Sequence, residues 1–170
     1  MIVWVLIWLF ACNVGNSSLD GNWQVYSVTT NYQQKGTKDI FKVPDEVKSA
    51  NLLFKKDTVW VQDKSIQELL CAKSLLLSMP VTVPVKLSSD MDRLYPGDEL
   101  DCFSSEQSVK DCYISKTFAD MIGIDHEVVC YRLSDWNGKS TPCFLFTDKS
   151  AKHPVFFNGN EFLIMKLARK

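Results

Sequence analysis

Charge is missing from the start of this chain: the first 19 of its 170 residues include no Asp, Glu, Lys or Arg. Histidine is almost missing too, with only His126 and His153. No Gly-x-Ser-x-Gly, His-Glu-x-x-His or phosphate-cradling glycine loop occurs, so the common hydrolase, zinc-protease and nucleotide signatures fall away. No Cys-x-x-Cys occurs either, and no His pair accompanies the cysteines, which removes zinc-module and thioredoxin-type readings. Net charge is only −1, which leaves no electrostatic footprint for nucleic acid or an anionic membrane. With 7 Gly, 6 Pro and no internal repeat, nothing marks a linker. The expectation is a non-catalytic protein with no cofactor, no metal and no nucleic-acid partner.

What the N-terminus does have is an uninterrupted run of ten apolar residues, Ile2 to Ala11, containing Trp4, Trp8 and Phe10. That length suits the apolar region of a signal peptide and falls short of the ~20 residues needed to cross a bilayer. Asn13, Gly15, Asn16, Ser17 and Ser18 follow, as small and polar residues should around a cleavage point. Residues 1–15 therefore read as a signal peptide and 16–170 as one domain; removing 15 residues from 170 leaves 155, enough for a proper core. The protein is expected to be secreted. Leu9-Phe10-Ala11-Cys12 offers an alternative, a bacterial lipoprotein signal that would anchor the chain through a lipidated Cys12. Asn16-Ser17-Ser18 makes Asn16 a candidate glycosylation site.

Five cysteines remain after the leader: Cys71, Cys102, Cys112, Cys130 and Cys143. In an oxidising compartment the simplest reading is two bridges and one spare thiol. Cys130 and Cys143 lie on the arms of a hairpin centred on Trp136 and Asn137, so they are the expected pair. The partners of Cys71, Cys102 and Cys112 stay open.

The recurring pattern is a short apolar run bounded by turn chemistry, which reads as strand. Trp23, Val25, Tyr26, Val28, Thr29 and Thr30 open the series with residues that suit a pleated surface. Leu52-Leu53-Phe54 and Thr58-Val59-Trp60-Val61 flank Lys55-Lys56-Asp57 as a hairpin with a charged tip. Val81, Val83, Val85 and Leu87 alternate with polar residues and with Pro84, which marks an edge or a bulge. Asn137-Gly138 and Asn158-Gly159 are strong hairpin signals, so the last third reads as an antiparallel meander of three or four strands. Ser65-x-x-Glu68 has capping-box spacing, and a helix there competes with a strand. Thr117 to Ile122 reads as one or two helical turns. The fold class is mainly β with one or two short helices, closing as an antiparallel barrel or a sandwich.

Gly21-Asn22-Trp23 opens the first strand, and it resembles the Gly-x-Trp signature of the calycin superfamily, the lipocalins and their relatives. That resemblance implies an up-and-down β-barrel whose closed end Trp23 plugs, with Arg169 near the end of the last strand packed over its ring as a cation–π stack. It implies a secreted carrier that holds a small hydrophobic ligand without catalysis. The inward aromatics expected to line such a cavity are Tyr26, Phe54, Trp60, Tyr131, Phe144 and Phe146. The alternative is a secreted β-sandwich or interaction module that meets an extracellular protein through exposed loops, such as residues 88–100, or through Trp136 at a hairpin tip. Asp125-His126-Glu127 and the acidic residues around Tyr95-Pro96-Gly97 read as solvated turns rather than metal or acid–base sites.

Overall fold

Residues 19–30, 45–70, 72–86, 113–159 and 163–170 are described in the computed structural model. The expected signal peptide, Cys12, Asn16, Cys71, Cys102, Cys112 and the acidic residues around Tyr95-Pro96-Gly97 lie outside them.

Ten strands form one hydrogen-bonded system: β1 (Gly21–Thr30), β2 (Asn51–Lys55), β3 (Thr58–Val61), β4 (Ser74–Leu77), β5 (Val81–Lys86), β6 (Ile114–Ser115), β7 (Glu127–Ser134), β8 (Ser140–Thr147), β9 (Val155–Asn158) and β10 (Leu163–Arg169). Neighbours run β4-β3-β2-β1-β10-β9-β8-β7, and β4 pairs back onto β7 through Leu76–Ser134 and Leu77–Leu133. This closes an eight-stranded antiparallel barrel with up-and-down order, so none of those eight strands faces solvent as an edge.

The closure has one irregularity. After a break at residues 78–80, β5 continues past β7 where β4 leaves off, pairing Val81 with Cys130 and Pro84 with Glu127. Two strands thus share one place in the wall. The free side of β5 takes a short parallel partner, β6, through Val85–Ile114 and Lys86–Ser115.

Turn chemistry accounts for the hairpins. Lys56 adopts φ +55° at the β2–β3 tip, where its backbone N–H donates to the Asp20 carboxylate at 2.8 Å. At the β7–β8 tip, the Asp135 carboxylate accepts from the N–H groups of Asn137 and Lys139, at 2.9 and 2.8 Å. Gly138 there takes φ +77°, a left-handed conformation that costs glycine little. After β9, the Gly159 N–H donates to the Pro142 carbonyl, and a Cβ there would sit 3.1 Å from that same oxygen.

Two helices and one 3-10 turn complete the described chain: α1 (Lys64–Leu70), α2 (Lys116–Ile122) and a 3-10 turn at Asp45–Ser49. Helix and strand both occur in the region where Ser65-x-x-Glu68 left them competing, α1 first and then β4. Ser115 caps α2 by accepting from the Phe118 N–H at 3.2 Å, and Gly123 ends it with φ +79°. Among the described residues no helix is long and apolar enough to cross a membrane.

The barrel wall is apolar on both faces over half its circumference, and so two cores form. The inner core takes every second residue: Trp23, Leu52, Phe54, Val59, Leu75, Leu133, Leu145, Phe156, Met165 and Leu167 all belong to it. The outer core is built where α2 lies against β5 and β7–β10. There Phe118 packs edge-on against Phe146 and Phe157, with both centroids 5.4 Å away. Edge-to-face pairs of this kind add to the stabilisation from area burial alone.

Candidate binding surfaces: barrel interior and outer wall

One end of the tube is sealed by residues from both ends of the described chain. β1 and β10 pair with Trp23 opposite Arg169, and the Arg169 guanidinium carbon stands 5.2 Å from the Trp23 ring centre. The indole N–H donates to the Leu19 carbonyl at 2.7 Å, while Arg169 donates to the Asp20 carbonyl at 3.0 Å. Gly21 sits at φ +134°, where side chains are rarely tolerated, and a Cβ there would lie 3.9 Å from the Arg169 Nε. The three residues singled out from the sequence therefore meet in one plug, with Phe54 edge-on to Trp23 at 6.3 Å.

The opposite end is covered as well. The β2–β3 tip is tied to Asp20 at the Trp23 end, so the start of β2 and the end of β3 point the other way. The 3-10 turn leads into β2 and α1 leaves β3 at that far end. Val47, Ile66 and Leu70 from these two elements, with Ala50 just after the 3-10 turn, join the inner core. Asp63 fastens the corner by accepting from the Asn51 N–H at 2.5 Å.

Between the two ends the described inner-core side chains are closely buried. Leu52, Val59, Leu75, Leu133, Leu145, Phe156, Leu163, Met165 and Leu167 are each 0% exposed, and Trp23 and Phe54 are 1% exposed. Side chains bounding a chamber large enough for a retinoid would keep surface open to that chamber; these have almost none, and Tyr131 of the same core keeps 6%. An eight-stranded barrel is near the size at which side chains alone fill it.

The six aromatics expected to line a cavity divide three ways. Phe54 and Tyr131 belong to the inner core. Burial raises the Tyr131 phenol above its ordinary pKa, because the charged phenolate loses its hydration there. Phe144 and Phe146 face outward and are buried in the outer core, stacked on each other at 6.1 Å. Tyr26 and Trp60 point into solvent, 55% and 43% exposed. On β8 the inward residues are Cys143 and Leu145, the neighbours of the two phenylalanines. An interior formed by all six is corrected to one formed by two of them.

The expected Cys130–Cys143 bridge is also corrected. Cys130 stands opposite Phe146, which places Cys143 three residues further along β8. Cys130 lies in the outer core and Cys143 in the inner one, so their side chains leave the wall in opposite directions and do not pair with each other.

Trp136 is 69% exposed on the rigid β7–β8 tip. The turn is built by Asp135, Asn137 and Gly138, so the indole contributes nothing to its geometry. Sequence reasoning missed a second surface, the outward face of β1–β4. Its signal was present in the period-2 pattern: the positions alternating with the core residues there are nearly all uncharged. Searches against family profiles, curated proteins and solved structures find no match to this chain.

Proposed function

We propose that this chain is an exported, non-catalytic binding protein of lipocalin-like build that recognises an extracellular protein partner through the outside of its barrel, with Trp136 as the anchor. One contrast carries the reading: the inner-core side chains are buried, while a tryptophan 69% exposed is displayed on a turn held by the Asp135 carboxylate. A rigid aromatic anchor loses little conformational freedom on binding, which is why such residues dominate interface energetics. The Gly21–Trp23–Arg169 plug and the up-and-down order support the lipocalin-like part of the reading. The uncharged leader supports export.

The test uses the mature chain as bait against the surrounding extracellular fluid or cell surface. A partner held by the native protein and by Trp136→Phe but lost by Trp136→Ala supports the reading. A partner held equally by Trp136→Ala moves the anchor elsewhere and defeats it.

A second reading, carriage of a small hydrophobic molecule in the barrel, is favoured by the closed tube and by Phe54 and Tyr131 inside it. It requires the inner core to open. Titration with palmitate or retinol, read by tryptophan emission, separates the two: saturable one-to-one quenching supports carriage, and an unchanged spectrum supports the packed interior.

A further inference from the structure

The outer wall of the barrel has two unlike halves. Over β5 and β7–β10 it is apolar and lies under α2. Over β1–β4 it carries no helix among the described residues. Its outward positions include the amides Asn22, Gln24 and Asn51 and the aromatics Tyr26 and Trp60, with Gln62 just past the end of β3. Lys55 is the one charge among the outward strand positions of this face, in a chain with 39 charged residues. The nearest others stand at its rim: Asp63 and Lys170, both bonded to Asn51, and Asp57 and Lys73 beyond the strand ends.

The register gives the surface a shape. Asn22, Leu53, Trp60 and Ser74 form one row across β1–β4. At the usual strand spacing Trp60 lies about 10 Å from Asn22 across the wall, and Tyr26 about 13 Å from Asn22 along β1. Two exposed aromatic faces are thus separated by Leu53 and by a row of amides, Gln24, Asn51 and Gln62, over a span longer than a single sugar ring.

From this juxtaposition we propose that the outward face of β1–β4 binds a neutral oligosaccharide, with Trp60 as the main stacking platform and Tyr26 as a second. The chemistry selects this class. An aromatic face is electron-rich and attracts the weakly positive C–H edges that a pyranose presents from its flat side. Amide side chains offer both donors and acceptors, matching hydroxyl groups that also do both. A charged partner would find almost no counter-charge on the strands here, and a purely apolar one would cover the amide groups that Gln24 and Asn51 leave over from their bonds to Ser49, Asp63 and Lys170. This inference goes beyond the protein-partner reading and does not rest on Trp136.

The experiment titrates the mature chain by calorimetry with a panel of neutral hexasaccharides, namely β-1,4-glucan, β-1,3-glucan, α-1,4-glucan and chitin fragments, and with a heparin hexasaccharide as the anionic comparison. At least one neutral sugar is expected to bind saturably, with little change at high salt. Trp60→Ala should weaken that binding about tenfold, the scale of one lost stacking contact. Trp60→Phe should restore part of it, and Tyr26→Ala should weaken it by a smaller factor. Lys152→Ala, at an exposed turn between β8 and β9, should leave it unchanged. Because Trp60 points outward, the folded circular-dichroism spectrum should survive each substitution. Binding by none of the neutral sugars, binding of heparin alone, or equal affinity in Trp60→Ala each overturns the proposal.

Discussion

Replacing Arg169 with alanine and Trp23 with leucine, singly and together, isolates the contact that seals the barrel. Arg169 stacks over the indole from an exposed position, which is worth about 0.5–1 kcal/mol. Its hydrogen bond to the Asp20 carbonyl adds about 0.5–1.5 kcal/mol at most. Arg169→Ala should therefore cost about 1–2.5 kcal/mol, or roughly 2–4 °C in Tm for each kcal/mol in a chain of this size. Trp23 is 1% exposed, and Trp23→Leu removes both the ring and its bond to the Leu19 carbonyl. The cost should approach, without reaching, the roughly 3–5 kcal/mol of a buried Trp→Ala change. Chemical denaturation of the four proteins gives the coupling energy. With the indole gone, Arg169 has no platform, so the two losses should fall short of additivity by about 0.5–1 kcal/mol. A coupling below about 0.3 kcal/mol, the range of independent sites, would refute the stack as a structural element.

Further outcomes follow from the same geometry. Leu145→Ala, at the centre of the inner core and 0% exposed, should cost about 2–5 kcal/mol by urea unfolding, whereas Met79→Ala, 86% exposed, should change stability by under about 0.5 kcal/mol. Tyr131 has its folded pKa raised by burial, so its stabilising contribution is complete below about pH 10 and is lost as pH climbs through the folded value. Tyr131→Phe should accordingly shift the alkaline unfolding midpoint upward; an unchanged midpoint contradicts the burial of the phenol. Gly21→Ala should destabilise by about 1–3 kcal/mol because φ +134° is left to glycine. Non-reducing peptide mapping should find no fragment joining Cys130 to Cys143, and recovery of that linked pair would contradict the assignment of the two to opposite faces.

Local chemistry made much of the wall legible in advance. Asn137-Gly138 and Lys55-Lys56-Asp57 each mark a hairpin through a left-handed residue at the tip, and Asn158-Gly159 does so through the close approach of the Pro142 carbonyl to Gly159. Gly21, Trp23 and Arg169 were readable as a group only through the resemblance to the lipocalin pattern, and the pairing of β1 with β10 is what brings them together. The side of the wall on which β8 residues lie was not legible. Residues 143–147 are buried without alternation, because α2 covers the outer face as fully as the interior covers the inner one. A run apolar on both faces offers no period from which to choose Phe144 and Phe146 or Cys143 and Leu145 as the inward pair. The expected Cys130–Cys143 bridge came instead from centring the hairpin on Trp136 and Asn137; the register sets Cys130 opposite Phe146, and an odd shift in pairing moves a side chain through the wall. Trp60 alternates with Val59 and Val61 as its pattern implies, yet alternation alone does not say which face is inside, and it is the two valines that turn inward, against the expectation that Trp60 lines the cavity. The parallel pairing of β5 with β6 joins residues far apart in sequence and leaves no local mark.

Whether the tube is solid decides between recognition on its outer surface and carriage within it, and diffraction from crystals under xenon pressure reads this directly, since dry apolar cavities take up the gas. A packed interior predicts no xenon site among Leu75, Tyr131, Leu145 and Phe156. A well-occupied xenon peak between those side chains would contradict it and return the barrel to the role of a carrier.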